Sequence, residues 1–139
     1  MRDVGLRLLA AAKEASAYGL AAVHIGEVEP VVVISDDGVA HRLLFNPAVV
    51  ATASETASGE EGSVSLPGVR VEIKRPLWID VESSNAEGKR RTERFEGFLG
   101  RVVQHEIDQM EGRFFLERLS RLKRDMVLKR LEKQRFPRN

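Results

Sequence analysis

The stretch QHEIDQ at residues 104–109 decides the fold assignment. Around it, from Gly97 to Glu111, apolar residues recur every three or four positions, which predicts a helix packed against a core. Residues four apart share one face of a helix, so His105 and Gln109 are expected to point to the same place. A zinc-type HExxH motif would have a second histidine at position 109, with the glutamate as general base. Alone, this His-Glu pair indicates a hydrogen-bonded structural histidine more strongly than a metal site.

The overall composition is that of an ordinary globular protein. The 139 residues are 42% hydrophobic and 31% charged, which predicts one soluble domain spanning residues 1–139. No apolar run approaches the ~18 residues that a membrane span needs, and the N-terminus has no signal-peptide pattern. We therefore expect a cytoplasmic protein without a membrane partner. The absence of cysteine excludes disulfides and thiolate metal ligands.

The remaining hydrophobic pattern predicts an α+β fold of antiparallel strands around the central helix. Asp3 is a candidate N-cap for a first helix that Gly19 ends. Residues 51–62, rich in Ala, Ser, Thr, Gly and Glu, are expected to form a loop. Alternating or continuous apolar residues and turn signals predict strands at 31–34, 43–45, 69–73, 77–81 and 91–95.

The C-terminal segment is strongly basic. A short strand at 114–116 is predicted to lead into a helix over about 120–136, capped by Ser120, with Leu122, Met126 and Leu131 facing inward and Pro137 ending it. Residues 118–139 hold nine Lys/Arg and two acids, which is +7, and leave −6 for the rest of the chain. Such a segment suits RNA, a membrane surface or an acidic partner, and a solvated helix face is the alternative.

Two segments upstream of the central helix complete a three-part pattern. They are AYGLAAVH at 17–24 and EEGSVSLPG at 60–68. In order and spacing, the three segments resemble the peptide deformylase signatures G-x-G-x-A-A-x-Q, E-G-C-x-S-x-P and Q-H-E-x-D-H. FNP at 45–47 resembles the N-P turn of that family, and GRFFLERLS at 112–120 resembles its strand before the C-terminal helix. The resemblance covers about residues 17–135 and implies the peptide deformylase-like fold.

The resemblance also implies a chemistry. In the family, a divalent metal, often iron and replaceable by nickel, cobalt or zinc, is held by the second-segment cysteine and two third-segment histidines. The glutamate activates the metal-bound water, while the first-segment glutamine and a backbone N–H steady the formyl oxygen as an oxyanion. The family releases a free N-terminal methionine on nascent chains. Carried over by position, the metal ligands correspond to Ser63, His105 and Gln109, and the catalytic groups to Glu106, His24 and the backbone N–H of Val64.

Two of the three ligand positions have lost their ligands. A serine hydroxyl stays neutral and an amide oxygen is a weak donor, whereas thiolate and imidazole bind such metals strongly. Changing only the groups around a metal site costs about 10–100-fold in affinity or activity, so losing two ligands should cost far more. We therefore expect no cofactor, and predict a deformylase-like protein that has lost formyl-methionine removal and keeps peptide N-terminus binding.

The family's substrate groove can be carried over in the same way. Arg101 stands where the family has an apolar residue lining the methionine pocket, and Tyr18 replaces an aliphatic one. A buried arginine needs an acidic partner, and Glu61 or Glu106 is expected to supply it. Arg101 either provides the positive charge that a metal once gave or points outward to solvent. The predicted substrate-binding residues are Tyr18, Gly19, Gly62, Arg70, Phe98, Arg101 and Val102.

His24 has three interpretations, and the whole chain has two alternative functions. His24 is a replacement metal ligand beside His105, a base beside Ser63, or a group that keeps the hydrogen-bond role of the glutamine. A working deformylase with an altered Ser/His/Gln or His24-containing site, holding Fe, Ni, Co or Zn, is the first alternative function. The second is a protein that contacts the ribosome through its basic C-terminal helix.

Overall fold

The computed structural model describes residues 1–63, 66–113 and 118–135. Its elements in chain order are α1 (Arg2–Ala15), β1 (Gly19–Ala21), a 3₁₀ turn (Ala22–Ile25), β2 (Val31–Ile34), β3 (Arg42–Thr52), β4 (Thr56–Ser63), β5 (Leu66–Pro76), β6 (Trp78–Ser84), β7 (Arg90–Glu96), α2 (Gly97–Met110) and α3 (Arg121–Arg135). The predicted α+β class and the central helix are confirmed. In the described part of the chain, no helix combines the length with the apolar composition that a membrane span requires.

The strands form two separate sheets. Five strands are ordered β1-β2-β3-β6-β7, and β4 pairs with β5 as an isolated hairpin. Neighbouring strands run antiparallel throughout. The predicted strands at 31–34, 43–45, 69–73, 77–81 and 91–95 coincide with observed strands, apart from residue 77, which lies between β5 and β6.

The apolar run of β2 is explained by a helix on each face of the sheet. Successive side chains of a strand point to opposite faces. Val32 and Ile34 pack in the cluster that includes Ile107 of α2, whereas Val31 and Val33 pack with α1. Because both faces are covered, all four residues are buried and no alternation with polar residues is needed.

Residues 51–62 are not the loop that their composition predicted. β3 runs on to Thr52, and β4 begins at Thr56 and pairs with β5 along its length. Small and polar residues have low strand propensity, but β5, in which apolar and polar residues alternate, provides the backbone hydrogen-bond partners for β4. FNP is likewise not a turn. Asn46 has φ 49° and lies at a register shift inside β3, where proline cannot donate to the ladder.

The helix ends differ from prediction at the start of the chain. Asp3 lies in the first turn of α1, whose N-cap is Met1, and the helix ends at Ala15 with Ser16 as its C-cap (φ 49°), before Gly19. At the other end of the chain, Ser120 does cap α3, since its Oγ accepts the Lys123 N–H at 3.3 Å.

The inward face predicted for α3 is wrong. Leu122 and Met126 are 72% and 55% exposed, and Val127 packs instead with Leu119 and Ile73. Basic residues are spread along the sequence of this helix, so the spacing of its apolar residues did not identify the buried face. The predicted strand at 114–116, the Leu131 side chain and Pro137 lie outside the described residues.

Candidate functional site

A cavity of ≈ 320 Å³ has walls from the start of β1, the first turns of α2 and the β4–β5 hairpin. All the predicted substrate-binding residues line it, namely Tyr18, Gly19, Gly62, Arg70, Phe98, Arg101 and Val102, together with His24, His105 and Glu106. At its mouth the Tyr18 and Phe98 rings meet edge to face, 5.0 Å apart. Phe98 is 54% exposed, so it belongs to this rim and not to the core that helical spacing predicted.

His105 projects from α2 toward the hairpin, where it meets Glu61. Its Nδ1 lies 2.9 Å from Glu61 Oε1, and both side chains are less than a tenth exposed. This contact joins the third sequence segment to the second. A ring nitrogen held by a carboxylate fixes the orientation of the imidazole.

Glu61 is the centre of a buried charge network. Arg75 donates to both of its oxygens, from Nε at 2.5 Å and from Nη2 at 2.7 Å. The third nitrogen of Arg75 donates to Asp108 at 2.8 Å, and Arg118 donates to both oxygens of Asp108. Burial alone would raise the pKa of Glu61, but hydrogen bonds from His105 and Arg75 outweigh it and lower the pKa to about 2.

Arg75 and Asp108 were missed by the sequence analysis, although a signal for each was present. Val69, Val71 and Ile73 alternate, and the same period places Arg75 on the buried face, where it is 1% exposed. Asp108 lies three residues after His105, on the inward side of α2. An arginine in register with core residues is a sign of a buried ion pair.

Arg101 folds back into the cavity wall, and its side chain is 18% exposed. Of the two acids expected to partner it, Glu61 is the one contacted, with Nη1 2.8 Å from Oε2. Two more donations go to backbone carbonyls, from Nη1 to Ile73 of β5 and from Nη2 to Ala57 of β4. The side chain therefore ties α2 to both strands of the hairpin.

Glu106 is buried in the same cavity beside Gly19. Its Oε1 is inaccessible and has no hydrogen-bond partner among the described residues. Burial, reinforced by the negative charge of Glu61, raises the pKa of Glu106 to about 7, although His105 acts in the opposite direction. A Cβ at Gly19 would lie 2.7 Å from Glu106 Cγ, so this position has room only for glycine.

His24 lies next to its own backbone turn and close to His105. Its Nδ1 accepts the Ala21 N–H at 3.0 Å. Burial lowers the pKa of His24, and the nearby His105 acts in the same direction, although the backbone hydrogen bond with Ala21 opposes them; the net lowering favours the neutral ring. The hydrogen bond to Ala21 does not distinguish among the three interpretations of His24. One of them depends on the Ser63 side chain, which lies outside the described residues.

The three metal-ligand positions do not form a matching donor set. His105 lines the cavity, Gln109 has a buried Nε2 with no partner in the described part of the chain, and Ser63 ends β4. In residues 1–63, 66–113 and 118–135, no group of three His, Cys, Asp or Glu side chains could hold a metal ion. The Arg101 cation beside Glu61 further opposes a second cation here. The residues at these three positions do not fit the divalent metal of the family. Val64, whose backbone N–H was predicted as a catalytic group, falls outside the described residues.

The sheets, the cavity and the His-Glu pair on α2 together define a deformylase-type fold. A peptide deformylase structure from Thermus thermophilus superposes with a TM-score of 0.84 at 33% identity, covering 95% of this chain and 83% of that one. Residues 1–125 match the family model described as polypeptide deformylase. The chain belongs to the peptide deformylase family.

Its relatives include proteins described in two ways. A protein named peptide deformylase-like from Rhizobium meliloti (strain 1021) is 41% identical over 134 residues, covering 96% of this chain and 78% of that protein. A peptide deformylase of the same strain is 39% identical over 124 residues, covering 86% of this chain and 71% of that protein.

Proposed function

We propose that this chain is a deformylase-fold protein that no longer carries out metal-dependent deformylation and binds peptide N-termini in its cavity. One observation carries the proposal. Of the three metal-ligand positions, only His105 still has a side chain that binds such metals strongly, since Ser63 and Gln109 replace a thiolate and an imidazole.

The cavity suits an extended peptide. Its walls include three glycines, Gly19, Gly62 and Gly68, which allow another backbone to approach closely. A Cβ at Gly62 would already lie 2.9 Å from the Val69 carbonyl, so a side chain is excluded there. The β4–β5 hairpin forms one wall, and addition of a peptide strand to a sheet is a common mode of recognition.

Calorimetric titration tests the proposal directly. Formylated and unformylated Met-Ala-Ser amides would be titrated into the purified protein, and binding with a Kd below about 1 mM is expected. Absence of heat from both peptides at millimolar concentration would contradict peptide binding. Measurable turnover of the formylated peptide would contradict the loss of deformylation.

Restoring the missing ligands is expected to restore metal binding. The double variant S63C/Q109H supplies a thiolate and a second imidazole at i+4 from His105, which is the geometry such sites use. After purification and dialysis against cobalt, the variant should retain about one metal ion per chain, and the unmodified protein far less. Metal analysis and the visible absorption of a thiolate–cobalt site are the measurements. Stoichiometric metal in the unmodified protein would overturn the proposal.

A second candidate function, a hydrolase with altered ligation, is favoured by one observation. Glu106 keeps its place in the lining of the cavity, and its pKa, raised by burial to about 7, suits a group that takes up and releases a proton at neutral pH. Turnover of formyl-Met-Ala-Ser amide by the unmodified protein, lost in Glu106→Gln, would establish this candidate in place of the first.

A further inference from the structure

The guanidinium of Arg101 packs directly against Gly59. A Cβ at Gly59 would lie 2.8 Å from Arg101 Cζ and Nε and 3.0 Å from Nη2, which real Cβ atoms do not tolerate. A side chain at position 59 would force the guanidinium to shift from this position. Gly59 and Arg101 are therefore a matched pair, and the pair fills part of the cavity with a cation.

The guanidinium is held in a fixed orientation. Its donations to Glu61 Oε2, to the Ile73 carbonyl and to the Ala57 carbonyl measure 2.8, 2.9 and 2.9 Å. A side chain with these anchors does not move freely to solvent, and its conformational entropy is already lost before any ligand arrives.

Arg101 keeps part of its binding capacity. A guanidinium has five N–H donors, and the described residues accept three hydrogen bonds from Arg101. Glu61, its only acidic partner in the described part of the chain, is shared with the fork of Arg75 and with His105.

The charges of this network do not balance. Three guanidinium groups, of Arg75, Arg101 and Arg118, contact the two carboxylates of Glu61 and Asp108. Of these three, Arg101 is the one that lines the cavity, and the exposed Arg70 of β5 lines it as well. Glu60 and Glu106 also line the cavity, but none of the described hydrogen bonds of Arg101 goes to them.

We propose that Arg101 makes this cavity select peptides whose first side chain ends in a carboxylate over those with an apolar side chain such as that of methionine. The inference rests on the proposed peptide binding. A carboxylate accepts charge-assisted hydrogen bonds from the remaining N–H groups. A thioether would cover a charged group and offer it only a weak acceptor, which costs desolvation without compensation.

Three peptides of matched length test the selection. Formyl-Met-, formyl-Gln- and formyl-Glu-Ala-Ser are used as C-terminal amides, so that the only carboxylate is that of the first side chain. By calorimetry the Glu peptide should bind about tenfold or more tightly than the Met peptide, with Gln in between. The Gln peptide separates hydrogen bonding from charge.

Variants assign the selection to Arg101. Arg101→Met should abolish the preference for Glu, whereas Arg91→Met removes an equal charge from an exposed side chain on β7 and should leave the preference unchanged. Thermal unfolding monitors the fold of each variant. If Arg101→Met does not fold, Gly59→Ala provides a second displacement of the guanidinium, and the peptide series on the unmodified protein remains decisive.

The possible results are distinguishable. Binding of the Met peptide as tightly as the Glu peptide, or a Glu preference that survives in Arg101→Met, would overturn this inference and leave peptide binding intact. Failure of all three peptides to bind would overturn the proposed function and this inference with it.

Discussion

Replacing Glu61 by glutamine is expected to lower the free energy of unfolding by about 3–5 kcal/mol, the usual cost of removing one partner of a buried ion pair. Glu61 and Arg75 are 4% and 2% exposed, so solvent cannot compensate the Arg75 charge for the loss of the Glu61 carboxylate. Since a small domain is stable by only about 5–15 kcal/mol, this single change brings the protein close to unfolding. Urea denaturation followed by circular dichroism at pH 7 measures the effect.

Two further variants check the cause of this loss. Glu60→Gln changes the adjacent residue, which is less buried, and should shift stability by no more than about 0.5 kcal/mol. The double variant E61L/R75M removes both charges and should be more stable than Glu61→Gln alone, because the buried Arg75 guanidinium is no longer left without its carboxylate. A double variant less stable than Glu61→Gln would show that packing, or the loss of the Arg101 and His105 contacts to Glu61, outweighs the unpaired Arg75 charge.

The contribution of Glu106 to stability is expected to fall as the pH rises from about 4.5 to about 7. Burial raises the pKa of this carboxyl from 4.5 to about 7, so in this window the folded protein holds a proton that the unfolded chain has released. The unfolded state is then favoured by rising pH, with a total loss on the order of 3 kcal/mol that levels off above pH 7.

The Glu106→Gln variant is the matched comparison for this pH dependence. Its amide does not titrate, so the fall between pH 4.5 and 7 should disappear. The pKa of Glu61 is lowered to about 2, so its contribution is present above pH 4.5 and is lost as the pH falls toward 2. Identical pH profiles for Glu106→Gln and the unmodified protein would contradict the assignment of the effect to Glu106.

The sequence predicted well those parts of the fold that a regular pattern describes. The 3.6-residue period of α2 and the alternation of 69–73 both correspond to observed elements, because a buried face imposes that pattern on the chain. β4 was missed because its residues have little intrinsic preference for a strand and depend on β5 for pairing. The buried face of α3 was missed because basic residues are spread along this helix and leave no regular apolar pattern.

The order of the motifs identified the residues of the cavity, but it did not predict most of the contacts among them. Residues 18, 61, 101 and 105 were expected to belong to one site, but no spacing rule connects Glu61 to Arg75, which pairs with it from the facing strand of the hairpin. Long-range ion pairs depend on tertiary placement, which periodicity does not encode. Whether α3 contacts the ribosome stays a prediction.

The isolation of the β4–β5 hairpin has a consequence for local motion. In the described part of the chain this hairpin shares no ladder with the five-stranded sheet, and buried polar contacts such as Glu61–His105 and Arg75–Asp108 tie it to α2. Segments attached in this way tend to open as one cooperative unit below the global unfolding free energy. Amide hydrogen exchange should therefore follow the hairpin as a single block, and the cavity would open and close with it.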